Sequence, residues 1–352
     1  MADYVFYAGF RGQQKMGGVV TCHFDDVSGK VDVFGPRWEG YNVSYMTTSH
    51  NMLRMAVAAE TVNGGGLALF VRENSRKPFI FQRFSNLGNV GFSHCYFSWD
   101  DRYVFVTDYA HGKAYAYQIL PNGEVSLTDE ISLQDNGHGP NLLRQEGSHP
   151  HSAFQSAATG LIAISDLGAD ALGMFSLDEN GRFIRQTQWK APTASGPRHV
   201  AFSADGKRCY LLTELTSEII ELRTDARGNL TERRIFSSRQ NDGNNLASEI
   251  HFSADERFLY VGNRGENSIV RFCMGEDGGL FSPAYISTRG WPREFIFTND
   301  GKYMIILNEE YADSRGELEV FSVDQYTGEL SDMKIICSLP GAYSLAYGYM
   351  LS

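Results

Sequence analysis

The chain has 352 residues, 42% of them hydrophobic and 13% aromatic, with 36 glycines against 10 prolines, which is enough apolar material to bury a large core and too much for a disordered chain. A formal net charge of -11 without any run of Lys or Arg excludes a nucleic acid or an anionic membrane as partner and leaves a small molecule. No basic and then apolar leader opens the sequence, and nowhere do about eighteen apolar residues stand together, so a soluble, cytoplasmic protein is expected.

In chain order, three strands are predicted first, over residues 4–10, 19–24 and 31–34, with the turn Val27-Ser-Gly before the third. A unit then repeats. It reads Phe97-Ser-x-Asp followed by Arg-Tyr-Val-Phe-Val-Thr-Asp, and returns at Phe202, Phe252 and Phe297, with degenerate copies centred on Tyr45 and Phe154. The spacings of these six anchors, 52, 57, 48, 50 and 45 residues, match the span of a four-stranded propeller blade. Within a unit the runs are short, β-rich and split by turns such as Pro121-Asn-Gly, Asn180-Gly and Arg227-Gly. The last predicted strand, over 343–347, has no unit of its own. Paired with the three N-terminal strands it makes a seventh blade and removes the free edges of an open array. The expected fold is therefore all-β, a single seven-bladed β-propeller domain over residues 1–352, its ring closed by the N-terminal strands plus the C-terminal strand. Five cysteines, odd in number and mostly inside apolar runs, read as reduced thiols.

Propeller geometry brings two sets of positions to one tunnel mouth, because each inner strand starts at the face where the antiparallel second strand ends. Three residues before the anchors, and in the closing blade, stand Asn42, His94, His151, His199, Glu249, Glu294 and Ser344. At the second-strand ends stand Glu60, Asp108, Asp166, Glu214, Asn263 and Asn308. Asp108 and Asn263 read as turn-forming residues. Residues 144–151, Arg-Gln-Glu-Gly-Ser-His-Pro-His, add two imidazoles, a carboxylate and a guanidinium on a loop, since Pro150 disfavours a helix there. Arg198 and Arg293 follow Gly196-Pro and Trp291-Pro at equivalent places in two blades, and a planar fork at each suits a carboxylate or phosphate. Structural ion pairing with Glu214 and Glu249 is the alternative for such arginines.

Residues 144–151, Ser165-Asp-Leu-Gly-Ala-Asp, Gly196-Pro-Arg-His-Val-Ala-Phe-Ser-Ala-Asp-Gly-Lys, Tyr210-Leu-Leu-Thr-Glu-Leu and Phe258-Leu-Tyr-Val-Gly-Asn-Arg-Gly resemble the bacterial 6-phosphogluconolactonase family of seven-bladed propellers, which also holds the fungal carboxy-cis,cis-muconate cyclase. The resemblance implies a cofactor-independent lactonase. It points to His149 or His151, Arg198, Glu214 and an arginine such as Arg264 as active-site groups. Residues 51–60 depart from the pattern in lacking the Asp-Gly turn.

The residues agree with that implication. Opening a lactone needs a base for water, a donor for the oxyanion and an acid for the leaving alkoxide. His151 or His149 can be the base, Glu214 can orient it or serve in its place, and Arg198 can sit on the oxyanion. Arg144, Arg264 and Arg293 are free for a phosphate or carboxylate tail, and Asp166, His199, Glu249, Glu294 and Asn308 complete the expected substrate-binding face. No Gly-x-Ser-x-Gly elbow supports a covalent serine route. His149, His151, Asp166 and Glu214 could assemble as metal ligands, but four flanking arginines would repel a cation, so no metal is expected. The expected activity is hydrolysis of a phosphorylated or carboxylated lactone, 6-phosphogluconolactone first. A muconate-type cycloisomerase and a non-catalytic binding propeller are the alternatives.

Overall fold

The repeated Phe-Ser-x-Asp unit is a hairpin closed by its own side chains. In the computed structural model, which describes residues 3–11, 18–39, 42–61, 64–88, 91–309, 311, 316–331 and 335–351, Ser203 Oγ donates to Asp205 Oδ1 at 2.7 Å and accepts from the Arg208 amide at 3.1 Å. Ser98 with Asp100, Ser253 with Asp255 and Thr298 with Asp300 repeat the device. On the outer hairpins the predicted glycine turns hold, with Gly123 and Gly181 at φ 80° and 77°, a left-handed conformation open to glycine at no steric cost.

The same turn chemistry corrects two anchors. In the first unit the turn is built on Ser49 and Asn51 and closes on the Arg54 amide, so Thr48, paired with Met55, occupies the place that Phe97 takes opposite Val104. In the third unit the Ser156 amide bonds Leu161 O, which makes Gln155 the anchor. Tyr45 and Phe154 fit the repeat only as aromatics, whereas the hairpin register is set by the turn.

Seven four-stranded antiparallel sheets form the ring, each ordered from an inner to an outer strand. In the closing blade the C-terminal strand Ala342–Leu351, longer than predicted, pairs with Asp3–Phe10, Phe10 opposite Ala342 and Tyr4 opposite Met350. The core lies between blades rather than within them. One cluster joins Phe6 and Ala8 of the closing blade to Ile305, Leu307 and Leu318 of the sixth, and another joins Ala58 and Leu69 of the first to Cys95 and Val106 of the second. Each fully buried Leu or Phe contributes roughly 1.5 to 3 kcal/mol, so neighbouring blades hold one another in place. All five cysteines are free thiols, and Cys22, Cys95 and Cys209 are buried in this packing.

Two departures from regularity position the site. Residues 133–149, between Val125–Ser132 and Pro150–Gln155, hold one 3-10 turn, Gln134–Asn136, and account for the widest anchor spacing. Every inner strand also carries a β-bulge at its mouth end. The residues set out of register include Ser93, His151, Arg198, Arg293 and Tyr343, and a bulge re-aims the side chain it carries.

Candidate active site

At the bulged end of the ring a cavity of about 520 Å³ opens, the size of a site for a small molecule. Its floor is an ion cluster. Glu214, which follows the strand Arg208–Thr213 and is fixed by its amide to Gly196 O, receives Arg144 Nη2 on Oε1 at 2.5 Å, and Arg198 Nε and Arg264 Nη2 on Oε2 at 3.0 Å each. Burial alone would raise its pKa, but Arg264, Arg144 and Arg198 outweigh burial and hold the carboxyl well below the usual range. Such a carboxylate takes up no proton near neutral pH. Three guanidiniums around one carboxylate leave an excess of positive charge. Arg198 is itself 3% exposed, its pKa lowered to about 10 first by burial and then by Arg264, and its Nη1 has no hydrogen-bond partner among the described residues.

His151 lies beside this cluster, Nε2 3.9 Å from Glu214 Oε2. Burial and then Arg198 and His199 hold its pKa well below the ordinary imidazole value, so the ring is neutral at physiological pH. Across the cavity a second group is balanced in charge. Arg293 pairs with Glu309 at 3.1 Å and lies 3.4 Å above the Tyr343 ring, while Arg11 donates to the Tyr343 hydroxyl at 2.9 Å and pairs with Glu60 at 3.5 Å. Trp291 and Tyr311, stacked at 3.8 Å, add an aromatic wall.

Of the residues expected here, His151, Arg198, Glu214, Arg264, Arg144 and Arg293 line the cavity together. The other six do not. His149 sits behind the wall, stacked on Tyr109 at 4.4 Å with Nδ1 2.7 Å from Tyr109 O and Nε2 3.2 Å from Glu146. Asp166 is a loop clamp whose oxygens accept from Ser148 Oγ, the amides of His149 and Ala169, and Asn136 Nδ2. His199, Glu249 and Glu294 are buried in the tunnel beneath, and Asn308 is buried beside Glu319. Asp108 and Asn263 are structural, as expected, bonding the Gly91 and His111 amides and Ser238 O respectively.

The reason is register. The residues expected at one level occupy two. His151 sits at the bulge, whereas His94, His199 and Glu294 follow it by one residue and pair with Thr107, Leu212 and Leu307. Likewise Asp108, Asp166 and Asn308 still lie inside the ladder, while Glu214 stands one residue beyond it. Of the further groups at the cavity level, Tyr343 sits at a bulge, Arg11 and Tyr109 stand one residue beyond their ladders, and Glu309 ends its ladder opposite Trp291. The arginine pair Arg198 and Arg293, one residue before the chosen ring, was the available signal. The structural ion pairing of arginines weighed as an alternative is present at Glu214, which is paired three times over, and absent at Glu249 among the described residues, while Arg198 Nη1 has no hydrogen-bond partner among them.

A model of the family described as Lactonase, 7-bladed beta-propeller matches residues 5–345. The chain belongs to this family. Within the lactonases it is 30% identical over 307 residues to the 6-phosphogluconolactonase of Bacillus subtilis, covering 85% of each chain. A Staphylococcus saprophyticus protein without assigned function is 28% identical over 333 residues, covering 92% of this chain and 93% of that one. Among solved structures, a Lactobacillus plantarum protein superposes with a TM-score of 0.89 at 24% identity, over 99% of this chain and 100% of its own. The periplasmic gluconolactonase of Pseudomonas aeruginosa gives 0.86 at 24%, over 98% and 99%. These two share the fold. The family supports lactone hydrolysis as the class of activity. No helix among the described residues is long and apolar enough to cross a membrane.

Proposed function

We propose that this lactonase hydrolyses an anionic sugar lactone, with 6-phosphogluconolactone as the first substrate to test, by activation of water without a covalent intermediate. The observation that carries the reading is the charge of the cavity. Five arginines face three glutamates there on a chain whose net charge is -11, and the excess sits at Glu214. A phosphate or carboxylate is the ligand such a surplus of guanidinium donors suits.

In this mechanism neutral His151 takes a proton from water as the water oxygen bonds to the lactone carbonyl carbon. The oxyanion is met by Arg198 Nη1, the unspent donor. The ring C–O bond then breaks and His151 returns the proton to the departing alkoxide. Glu214 is a charge organiser, orienting the arginines and stabilising the imidazolium, rather than the acid or base partner expected from sequence. Arg144 and Arg264 hold the anionic tail, and Trp291 offers an apolar face to the sugar ring.

The test is a panel of lactones with and without a phosphate group, together with a muconate. The reading expects turnover of the phosphorylated sugar lactone, and Arg144→Ala should raise its KM by the equivalent of about 1.5 to 3 kcal/mol while affecting a neutral lactone less. Turnover of the muconate alone would favour the cycloisomerase, and no turnover of any compound would leave a binding propeller.

A further inference from the structure

Below the cavity, the tunnel holds titratable groups that the hydrolytic steps leave unused. The His199 ring lies 5.2 Å from that of His151, centroid to centroid. His199 Nδ1 is 2.7 Å from Glu249 Oε1, and the same oxygen is 3.7 Å from His251 Nε2. His199 and Glu249 are 1% exposed, while the His251 side chain is 36% exposed. His251 stands two residues beyond Glu249 on the strand Leu246–Phe252, toward the turn at Ser253 on the opposite face of the disc. The series thus runs from an imidazole lining the cavity to one in contact with solvent at the other side.

Two further observations bear on this series. His151 Nδ1 and His199 Nε2 are buried and have no hydrogen-bond partner among the described residues, although their rings are neighbours at a separation that one bridging water could span. Burial, then Arg198 and His251, lowers the His199 pKa, whereas burial raises that of Glu249 against His251 and Arg198, which brings the two proton affinities toward each other.

Hydrolysis also leaves a proton to dispose of. Water supplies two: one ends on the new hydroxyl, and the other belongs to a carboxylic acid that ionises at neutral pH. His151 is neutral again once it has protonated the alkoxide, and if it takes up this second proton from the new acid it must lose it before the next turnover. Beside it the arginines and Glu214, whose pKa is depressed, take up no proton, and the other two carboxylates of the cavity, Glu60 and Glu309, lie across it in ion pairs with Arg11 and Arg293.

We propose that His199, Glu249 and His251 form a proton path that returns His151 to its neutral state by releasing the proton on the opposite face of the propeller. The three act on substrate only through His151 and are positioning residues. The proposal rests on the lactonase reading.

The test is kcat and KM of the full-length protein as a function of the concentration of a small buffer, imidazole. His251→Ala should lower kcat about tenfold at low buffer, less than loss of the base itself, with KM unchanged, and imidazole should restore the rate in proportion to its concentration. Glu249→Gln should lower kcat as much without rescue, because its place is closed to solvent. A structural role would not make the rate depend on buffer. A His251→Ala enzyme with the kcat of the parent at every imidazole concentration overturns the path while leaving the lactonase reading intact. If the parent itself turns over no lactone, that reading fails and the path fails with it.

Discussion

Residue by residue, the cavity separates groups by what burial and neighbouring charge do to their proton affinity. His151, the proposed base, is neutral because burial and the positive field of Arg198 both disfavour its charged form. His151→Ala should therefore lower kcat by roughly two to four orders of magnitude with little change in KM. The sign of the pH dependence follows from the same shift. A base is active when unprotonated, and the lowered pKa keeps His151 unprotonated below the ordinary imidazole value of about 6.5, so kcat should stay level as pH falls through 6.5 and decline only at more acid pH. A profile whose acid limb lies above 6.5 would place the base elsewhere. Glu214→Gln has a different signature. It leaves Arg144, Arg198 and Arg264 without their shared counter-charge, and removing one partner of a buried ion cluster costs about 3 to 5 kcal/mol. Denaturant unfolding should show that loss beside the loss of activity, whereas His151→Ala should unfold close to the parent.

For the strands and turns, what was legible was local. Ser203 with Asp205 closes a hairpin through groups two residues apart, and a periodic search finds such units without knowledge of anything distant. Where the turn uses Ser49 and Asn51 instead, the aromatic pattern points to Tyr45, three residues out of register with the true anchor Thr48. The bulges were not legible, because an extra residue in an inner strand is defined only against its partner strand. That single-residue offset separates Arg198, in the cavity, from His199, beneath it. The closing blade supplies the test at this scale. Deleting residues 341–352 removes the strand paired along Asp3–Phe10 and uncovers Phe6 and Ala8, so the truncated chain should aggregate or lose most of its stability. A truncated chain that is soluble and melts with the parent would disprove closure by that strand.

At the scale of the whole molecule, the ring converts a chain of net charge -11 into one cavity with surplus positive charge. A cation is disfavoured there by the arginines that attract an anion, so lactone turnover should survive an excess of chelator and show no gain from added calcium or zinc. Activity that vanishes with chelator and returns with metal would contradict this. The sequence by itself determined the repeat, the strand-rich blades and the stretch from Arg144 to Glu214 that supplies Arg144, His151, Arg198 and Glu214 to the cavity, because these rest on turn chemistry and alternation within tens of residues, and it determined the joining of the two termini because the strands left over at each end complete one blade. Only the tertiary structure decided which polar residues share a level. Arg11 and Tyr343 meet across the closing blade although they lie 332 residues apart. Glu214 faces three arginines drawn from separate loops and strands, and Asp166 and His199 turn away from the mouth by one step of register. Side chains in a strand alternate faces with a period of two, so an offset of one residue, invisible in the linear pattern, moves a group from the cavity to the interior.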